Sequence, residues 1–183
     1  HRGRLMEITR RRSILALLAG GGVTLLQGCG FTPVYATPEA GGSTASELAA
    51  IRINEVGEGS ERRIGQILRN ELIDRFTAGV GPQPVEYDLV IEISQTASPL
   101  QIQTTDTVTR YNLVLSASFI LRDAASFQAL YQGSAKSTGS YDVVESEYAT
   151  LVAERDSGRE AARDLSNTIA NLLSLYFSRE DAG

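Results

Sequence analysis

Residues 111–121 read YNLVLSASFIL, and this stretch decides the fold. Every second position, from Tyr111 to Leu121, carries an apolar or small side chain, and the positions between them include an asparagine and two serines. Such alternation is typical of a β-strand that buries one face. The strand is predicted from about Thr107 to Arg122, which is longer than the usual length of about five or six residues.

A second long strand is predicted directly after it, from Phe127 to Tyr141. Residues 123–126 join the two strands as a tight hairpin. Apolar or small side chains continue in the same phase along this strand, so both strands bury the same face. The positions in this phase are Phe127, Ala129, Tyr131 and Ala135.

Two further strands are predicted before this pair. One alternates from Val85 to about Thr96, and the other starts within residues 51–57, which end in a turn. Residues 98–106 are polar and almost uncharged, so we expect a projecting hairpin loop there.

Two segments have the periodicity of amphipathic helices. Apolar residues recur at steps of three and four from about Glu61 to Ala78. A second helical stripe extends from Tyr148 to Tyr176. It is either one long helix interrupted near Gly158 or two helices with a break there.

These elements predict an α+β fold. The order strand–helix–strand favours parallel pairing of the first two strands, and the hairpin is antiparallel, so the sheet is mixed. The apolar stripes of both helices need a partner, which the odd-numbered face of the sheet supplies. We therefore predict a two-layer sandwich over residues 50–179, in which two main helices pack on one face of a four-stranded mixed sheet. Residues 180–183 are a tail.

The even-numbered face of the third and fourth strands is half polar and nearly free of acidic residues. It has too little apolar area for a second core and too little charge for an ordinary solvated sheet. Its residues are Arg110, Asn112, Val114, Ser116, Ser118, Ile120, Arg122, Gln128, Leu130, Gln132, Ser134, Lys136 and Thr138.

The register of the hairpin places Lys136 on this face. If both apolar faces coincide, paired residue numbers sum to about 248 or 250, which sets Lys136 opposite Asn112 or Val114. Lys136 and Arg110 would then be roughly 7–14 Å apart, and two such cations could hold the phosphates of an anionic glycolipid. The alternative, which the residues alone favour, is that the cations merely keep the sheet soluble.

The N-terminal region has the three parts of a secretory signal. Residues 10–12 are arginines, residues 14–26 are an apolar run, and Gly28 is a small residue at the cut. The LQGC sequence that ends at Cys29 resembles the lipobox of bacterial lipoproteins. The resemblance implies cleavage between Gly28 and Cys29 and a lipid on the Cys29 thiol.

Alternatives to this interpretation are a transmembrane anchor with an incidental cysteine and a twin-arginine export signal. The apolar run is shorter than the ~20 residues that span a bilayer, which argues against the anchor. We therefore assign residues 1–28 to a removed signal peptide. Residues 29–49, which are rich in Pro, Gly, Ser and Thr, are predicted to be a lipidated tether.

Charge excludes some partners. The chain has 17 basic and 22 acidic residues, of which residues 1–28 contain five arginines and one glutamate. The mature chain therefore has 12 basic and 21 acidic residues, which gives a net charge of −9. Such a charge argues against binding to nucleic acid and against a polybasic membrane surface. Contact with the membrane is expected through the lipid on Cys29.

The inventory of catalytic side chains is small. The single histidine lies in the removed segment and the single cysteine carries the lipid, so no Ser-His-Asp, Cys-His or zinc site can be built. We expect no metal and no cofactor other than the covalent lipid. Asp142, Glu145 and Glu147 could form a carboxylate or calcium site, but acidic residues before a helix usually cap it.

Several short motifs resemble the LptE family of envelope lipoproteins. The CGFTPVY sequence at 29–35 is similar to the mature start of that family. Further similar motifs, in the same order, are Arg69–Leu72, Gln95–Ser98, Tyr111–Leu113, Ser134–Lys136, Tyr141–Val143 and Ala153–Asp156.

The resemblance implies a non-enzymatic lipoprotein on the periplasmic side of the outer membrane. There it would plug the LptD β-barrel, assist its assembly and help lipopolysaccharide reach the outer leaflet. The lipopolysaccharide-contacting positions would map onto Arg110 and Lys136. A half-polar sheet face suits such a wet interface. We expect its barrel-facing residues to be Asn112, Ser116, Ser118, Gln132 and Ser134.

Two other functions stay open on the sequence. The chain could be an auxiliary lipoprotein of another envelope lipid-transport complex, which would give it different partners. It could also be an envelope hydrolase that uses the carboxylates near position 145.

Overall fold

The computed structural model describes residues 44–100 and 109–180. Three helices, a 3-10 turn and four strands follow one another along this part of the chain. In chain order they are helix α1 (Thr44–Ala49), strand β1 (Ile51–Ile53), the turn Gly59–Glu61, helix α2 (Arg62–Phe76), strands β2 (Tyr87–Leu100), β3 (Thr109–Asp123) and β4 (Ala129–Val143), and helix α3 (Glu147–Glu180).

The strands form one mixed sheet in the order β1-β2-β3-β4. Strand β1 is parallel to β2, and the other neighbouring strands are antiparallel. Helix α2 makes the connection between the two parallel strands. The predicted α+β architecture with a four-stranded mixed sheet is therefore confirmed.

Both main helices pack on the odd-numbered face of the sheet. Helix α3 lies over β4 and β3, and α2 lies beside α3. The apolar residues of both stripes and of this face form one continuous core, as the alternation predicts. Its fully buried members include Leu68, Leu72, Leu89, Leu113, Leu115, Phe119, Leu121, Leu165, Ile169, Leu173 and Phe177.

The segment predicted to be a tether differs at its C-terminal end. Residues Thr44–Ala49 form α1, and Leu48 and Ala49 are buried. The Thr44 hydroxyl lies 3.3 Å from the hydroxyl of Ser178, near the end of α3. The folded domain thus begins several residues before position 50. Residues 1–43, including the predicted lipidation site, lie outside the described residues.

Helix α3 continues through Gly158 without a break. The predicted interruption is therefore wrong. A Cβ on Gly158 would make only an ordinary contact, 3.5 Å from Cδ1 of Ile64, whereas a Cβ on Gly139 of β4 would clash with the Ser157 hydroxyl. The missing side chain of Gly139 therefore lets α3 approach the sheet at Ser157.

The hairpin between β3 and β4 is longer than predicted. The amide N–H of Asp123 donates to the carbonyl of Gln128 at 3.0 Å, and Phe127 adopts a positive φ of 59°. Phe127 is consequently 67% exposed, and Ala129, which pairs with Arg122, is exposed as well, so neither shares the predicted buried phase. One further residue, Leu130, is accommodated by a register shift at Leu121.

These two features correct the predicted register. Paired residues of β3 and β4 sum to 252, as in the pair Ser116 and Lys136. Lys136 is therefore not opposite Asn112 or Val114. Arg110 lies six residues before Ser116, about 20 Å along β3, so the two cations are farther apart than expected.

The Asp123 carboxylate holds this turn together. Its Oδ1 accepts hydrogen bonds from the Ser126 hydroxyl and the Ser126 amide, both at 2.7 Å, and from the Ala125 amide at 3.2 Å. The Ser126 hydroxyl first, and then its amide, lower the pKa of Asp123 below the ordinary value of 3.8.

Asp123→Ala should therefore lower the thermal midpoint of the domain at neutral pH. Because the folded pKa is depressed, the stabilisation is present above the ordinary carboxyl pKa and is lost as pH falls through the folded pKa. Thermal unfolding followed by circular dichroism at several pH values measures this. The difference between wild type and Asp123→Ala should shrink on acidification.

Asp123→Asn is the matched control, because it keeps an acceptor oxygen and removes the charge. It should retain part of the stability and lose the dependence on pH. A difference between wild type and Asp123→Ala that does not change with pH would contradict this role of the carboxylate.

Candidate functional site: the open face of the sheet

The even-numbered side chains of β2, β3 and β4 lie on the face of the sheet that no helix of residues 44–100 and 109–180 covers. We call this surface the open face; it comprises the even positions of 90–100, 110–122 and 132–142. Strand register arranges these side chains in rows that cross the three strands. The middle rows are Thr96–Val114–Thr138, Ser94–Ser116–Lys136, Glu92–Ser118–Ser134 and Val90–Ile120–Gln132.

The centre of the open face is a shallow depression of about 560 Å³. Four serine hydroxyls, one carboxylate and one ammonium group line it. We call it the serine trough; its open-face lining is Glu92, Ser94, Ser116, Ser118, Ser134 and Lys136. A neighbouring depression of about 400 Å³ shares three of these residues and adds the more apolar row of Val90, Ile120 and Gln132.

Lys136 is the cation of the trough. Its side chain is exposed, and among residues 44–100 and 109–180 no carboxylate forms an ion pair with it. Glu92 lies two strands away and one row further along. An uncompensated ammonium surrounded by hydroxyls can donate to an anionic or hydroxyl-rich ligand.

Arg110 lies in a different environment. Its Nε is 3.6 Å from Oδ1 of Asp142, which is directly opposite on β4. Arg110 thus has a carboxylate partner within the domain, in a solvent-exposed ion pair. Arg110 lies at the end of the sheet next to residues 101–108, which are outside the described residues, and it does not line the trough.

A second ion pair lies at the opposite end of the open face. Arg52 of β1 donates from Nε and Nη2 to the two carboxylate oxygens of Asp88, at 2.6 and 2.8 Å. Asp88 is only 5% exposed, and these hydrogen bonds, followed by its charge, raise the pKa of Arg52. This bidentate pair joins the edge strand β1 to β2.

The structure brings together three of the five predicted barrel-facing residues. Ser116, Ser118 and Ser134 line the trough beside Lys136, and Gln132 lines the neighbouring depression. Asn112 is on the same face, two rows from Ser116.

Sequence reasoning missed the contribution of β2. Glu92 and Ser94 complete the trough, yet only the two hairpin strands were considered as its source. The alternation in β2 already placed both residues on the even face, so the missing information was the pairing of β2 with β3.

The carboxylate site considered from the sequence is not assembled. Asp142 pairs with Arg110. At the start of α3, the Ser146 hydroxyl, and not one of these carboxylates, accepts a hydrogen bond from the Ala149 amide at 3.3 Å. Within the described ranges, no group of three or more metal-ligating side chains comes together. Nor does any helix there combine the length and apolarity needed to cross a membrane.

The fold and the open face define a class of protein: a small α+β domain that covers one sheet face with helices and presents the other to its surroundings. The family model for LptE, described as lipopolysaccharide-assembly, matches residues 48–173. The chain therefore belongs to the LptE family, and its role lies in lipopolysaccharide assembly.

Solved structures share the fold. A protein of Caulobacter crescentus CB15 described as a candidate lipoprotein superposes with a TM-score of 0.59 at 23% identity, covering 74% of this chain and 96% of that one. The rare lipoprotein B of Shewanella oneidensis gives a TM-score of 0.51 at 13% identity, covering 71% of this chain and 99% of its own. No curated protein sequence matches this chain.

Proposed function

We propose that this protein is an outer-membrane lipoprotein that plugs an LptD-like β-barrel, assists its assembly, and helps deliver lipopolysaccharide to the outer leaflet. The observation that carries the proposal is the open face, a polar surface three long strands wide, on a domain of the lipopolysaccharide-assembly family. The anchor would be the lipid on Cys29, on the periplasmic side of the membrane.

The chemistry of the open face suits the interior of a barrel. The lumen of an outer-membrane barrel is polar and wet, and its contacts do not require an apolar surface. The serine trough offers hydroxyl groups, which can donate and accept, and a single uncompensated cation. Such a surface can bind a polar wall through direct and water-mediated hydrogen bonds.

Lys136 is the stronger of the two candidates for contact with lipopolysaccharide. Its ammonium group is free of an ion pair within the described residues and lies in the trough, whereas Arg110 is paired with Asp142. A phosphate that contacts Lys136 gains a charge-assisted hydrogen bond without breaking an existing one. A phosphate at Arg110 would compete with the carboxylate of Asp142.

The first test is co-purification. The full-length lipoprotein, tagged and extracted in mild detergent, should bring down a large β-barrel. Ser118→Trp places a large ring on the open face and should reduce the recovered barrel by about tenfold, because overpacking a fitted contact costs roughly 1–3 kcal/mol.

Asn171→Trp is the matched control, because Asn171 is exposed on α3 in the helical layer. It should leave recovery unchanged. If the wild-type protein brings down no barrel, or brings down inner-membrane proteins of another lipid transporter, the proposed function is wrong.

The second test concerns Lys136. Lys136→Gln should weaken binding of purified lipopolysaccharide about tenfold, since it removes one charge-assisted hydrogen bond, and the loss should be smaller at high salt. Arg110→Gln should have a smaller effect because Arg110 already pairs with Asp142 and does not line the trough. If wild type and Lys136→Gln bind lipopolysaccharide equally well at low salt, the serine trough is not the site that contacts lipopolysaccharide.

A further inference from the structure

The two edges of the sheet are very different. Strand β1, at one edge, pairs over only three residues, Ile51–Ile53. Strand β4, at the other edge, is 15 residues long and pairs with β3 along its length. A long edge strand offers a row of main-chain groups to any extended chain that comes beside it.

The main-chain hydrogen bonds show which groups of β4 point outward. The Ala124 amide donates to the carbonyl of Glu86 at 2.9 Å, so in β3 the even-numbered residues bond toward β2. The odd-numbered residues bond toward β4, as the Asp123 amide does with Gln128 at 3.0 Å. Because the numbers of paired residues in β3 and β4 sum to 252, odd-numbered residues of β4 pair with odd-numbered residues of β3. The even-numbered residues of β4 therefore direct their N–H and C=O groups away from β3.

These outward groups belong to the even positions from Gln132 to Asp142. In the part of the chain that the structure describes, none of them bonds to another main-chain or side-chain group. Helix α3 lies above β4 on the buried face, where the Tyr176 ring stacks on the Tyr131 ring at 5.1 Å, and not in the plane of the sheet. The edge of β4 is thus an uninterrupted main-chain template.

The usual protection of an exposed edge is weak here. Strand β4 contains no proline, and its one irregularity is at Leu121/Arg122, near the start of the strand. Its charged side chains are Lys136 and Asp142, and Asp142 is paired with Arg110. Edge strands of this length normally carry prolines, bulges or several charges that prevent pairing with other chains.

The two sides of this edge select the pattern of an added strand. The open-face side presents polar residues such as Gln132 and Thr138, and the helix side carries the partly buried Tyr131 and Val143. A strand that pairs here fits best if polar and apolar side chains alternate along it. Strands of outer-membrane barrels have this alternation, with polar residues toward the lumen and apolar residues toward lipid.

We propose that the free edge of β4 pairs, main chain to main chain, with an edge strand of the barrel partner before that barrel closes. This inference rests on the proposed function and specifies how the domain would assist assembly. An unclosed barrel has free edges, and a closed one has none, so the pairing ends when the barrel's own terminal strands meet. A second copy of this chain fits less well, because pairing centred on β4 would bring two Lys136 side chains together.

The test compares two substitutions at Thr138, whose amide points outward. Thr138→Pro removes that donor without removing a hydrogen bond to β3, and proline is tolerated at such edge positions. Thr138→Ala is the matched control, because it removes the side chain and keeps the amide. Each full-length variant replaces the wild-type lipoprotein in cells, and pulse-labelling follows conversion of the barrel to its closed form, which resists unfolding by SDS until it is heated.

Thr138→Pro should slow closure about fivefold relative to Thr138→Ala, the factor that corresponds to one net hydrogen bond. Equal rates for the two variants would overturn the inference while leaving the proposed function intact. If the wild-type protein recovers no barrel at all, the proposed function fails instead.

Stability of the variants is checked by thermal unfolding of the purified proteins. If Thr138→Pro unfolds at a lower temperature than Thr138→Ala, a photocrosslinker at position 138 of the otherwise unchanged chain tests whether the edge of β4 contacts the unclosed barrel. Its adduct should contain unclosed barrel and disappear on closure. No barrel adduct, or an adduct with a second copy of this chain, would overturn the inference.

Discussion

The packing of two helices on one face of the sheet is the constraint on which the rest of the structure depends. Leu68 and Leu72 of α2, and Leu165 and Ile169 of α3, are buried against the same face of the sheet. Each buried leucine or isoleucine contributes roughly 1.5–3 kcal/mol of transfer free energy. Because both stripes are used on this face, no helix of the described residues covers the other face.

The open face follows from that constraint. Side chains alternate along a strand, so a register that buries Leu113, Leu115 and Phe119 necessarily directs Ser116 and Ser118 to the opposite face. A slip of one residue would expose the core, so the polar face is held as firmly as the apolar one. The serine trough therefore lies on a rigid scaffold, as a docking surface requires.

The unequal lengths of the strands make the two edges of the sheet different. Strands β2, β3 and β4 span 14, 15 and 15 residues, whereas β1 spans three. The short strand lies against β2 and is held by the bidentate contact between Arg52 and Asp88. The long outer strand has no corresponding neighbour in the described residues. One sheet thus combines a polar face for docking with an edge that can accept another strand.

Much of this architecture could be predicted, because alternation over long strands and the helical stripes are strong local signals. The buried face of β3 and the mixed sheet are confirmed. The register of β4 could not be predicted, because it depends on the positive φ of Phe127 and on the extra residue Leu130, which no periodicity reveals.

The pairing of distant strands, which the sequence does not reveal, also explains why the β2 residues of the trough were missed. Its composition depends on pairing between distant strands, so the place of Glu92 became visible only in three dimensions. The ion pair of Arg110 with Asp142 likewise follows from the corrected register. The close approach of α3 to β4, where Ser157 lies against Gly139, also depends on packing between distant segments, and no local pattern shows it.

The most direct test of the central claim is photocrosslinking in intact cells from position Ser116, at the centre of the open face. We expect an adduct with a large β-barrel, with lipopolysaccharide, or with both, and little adduct from exposed position Asn171 on α3. An adduct confined to the chain itself would show that its own residues cover this face, and would contradict its role as a docking surface.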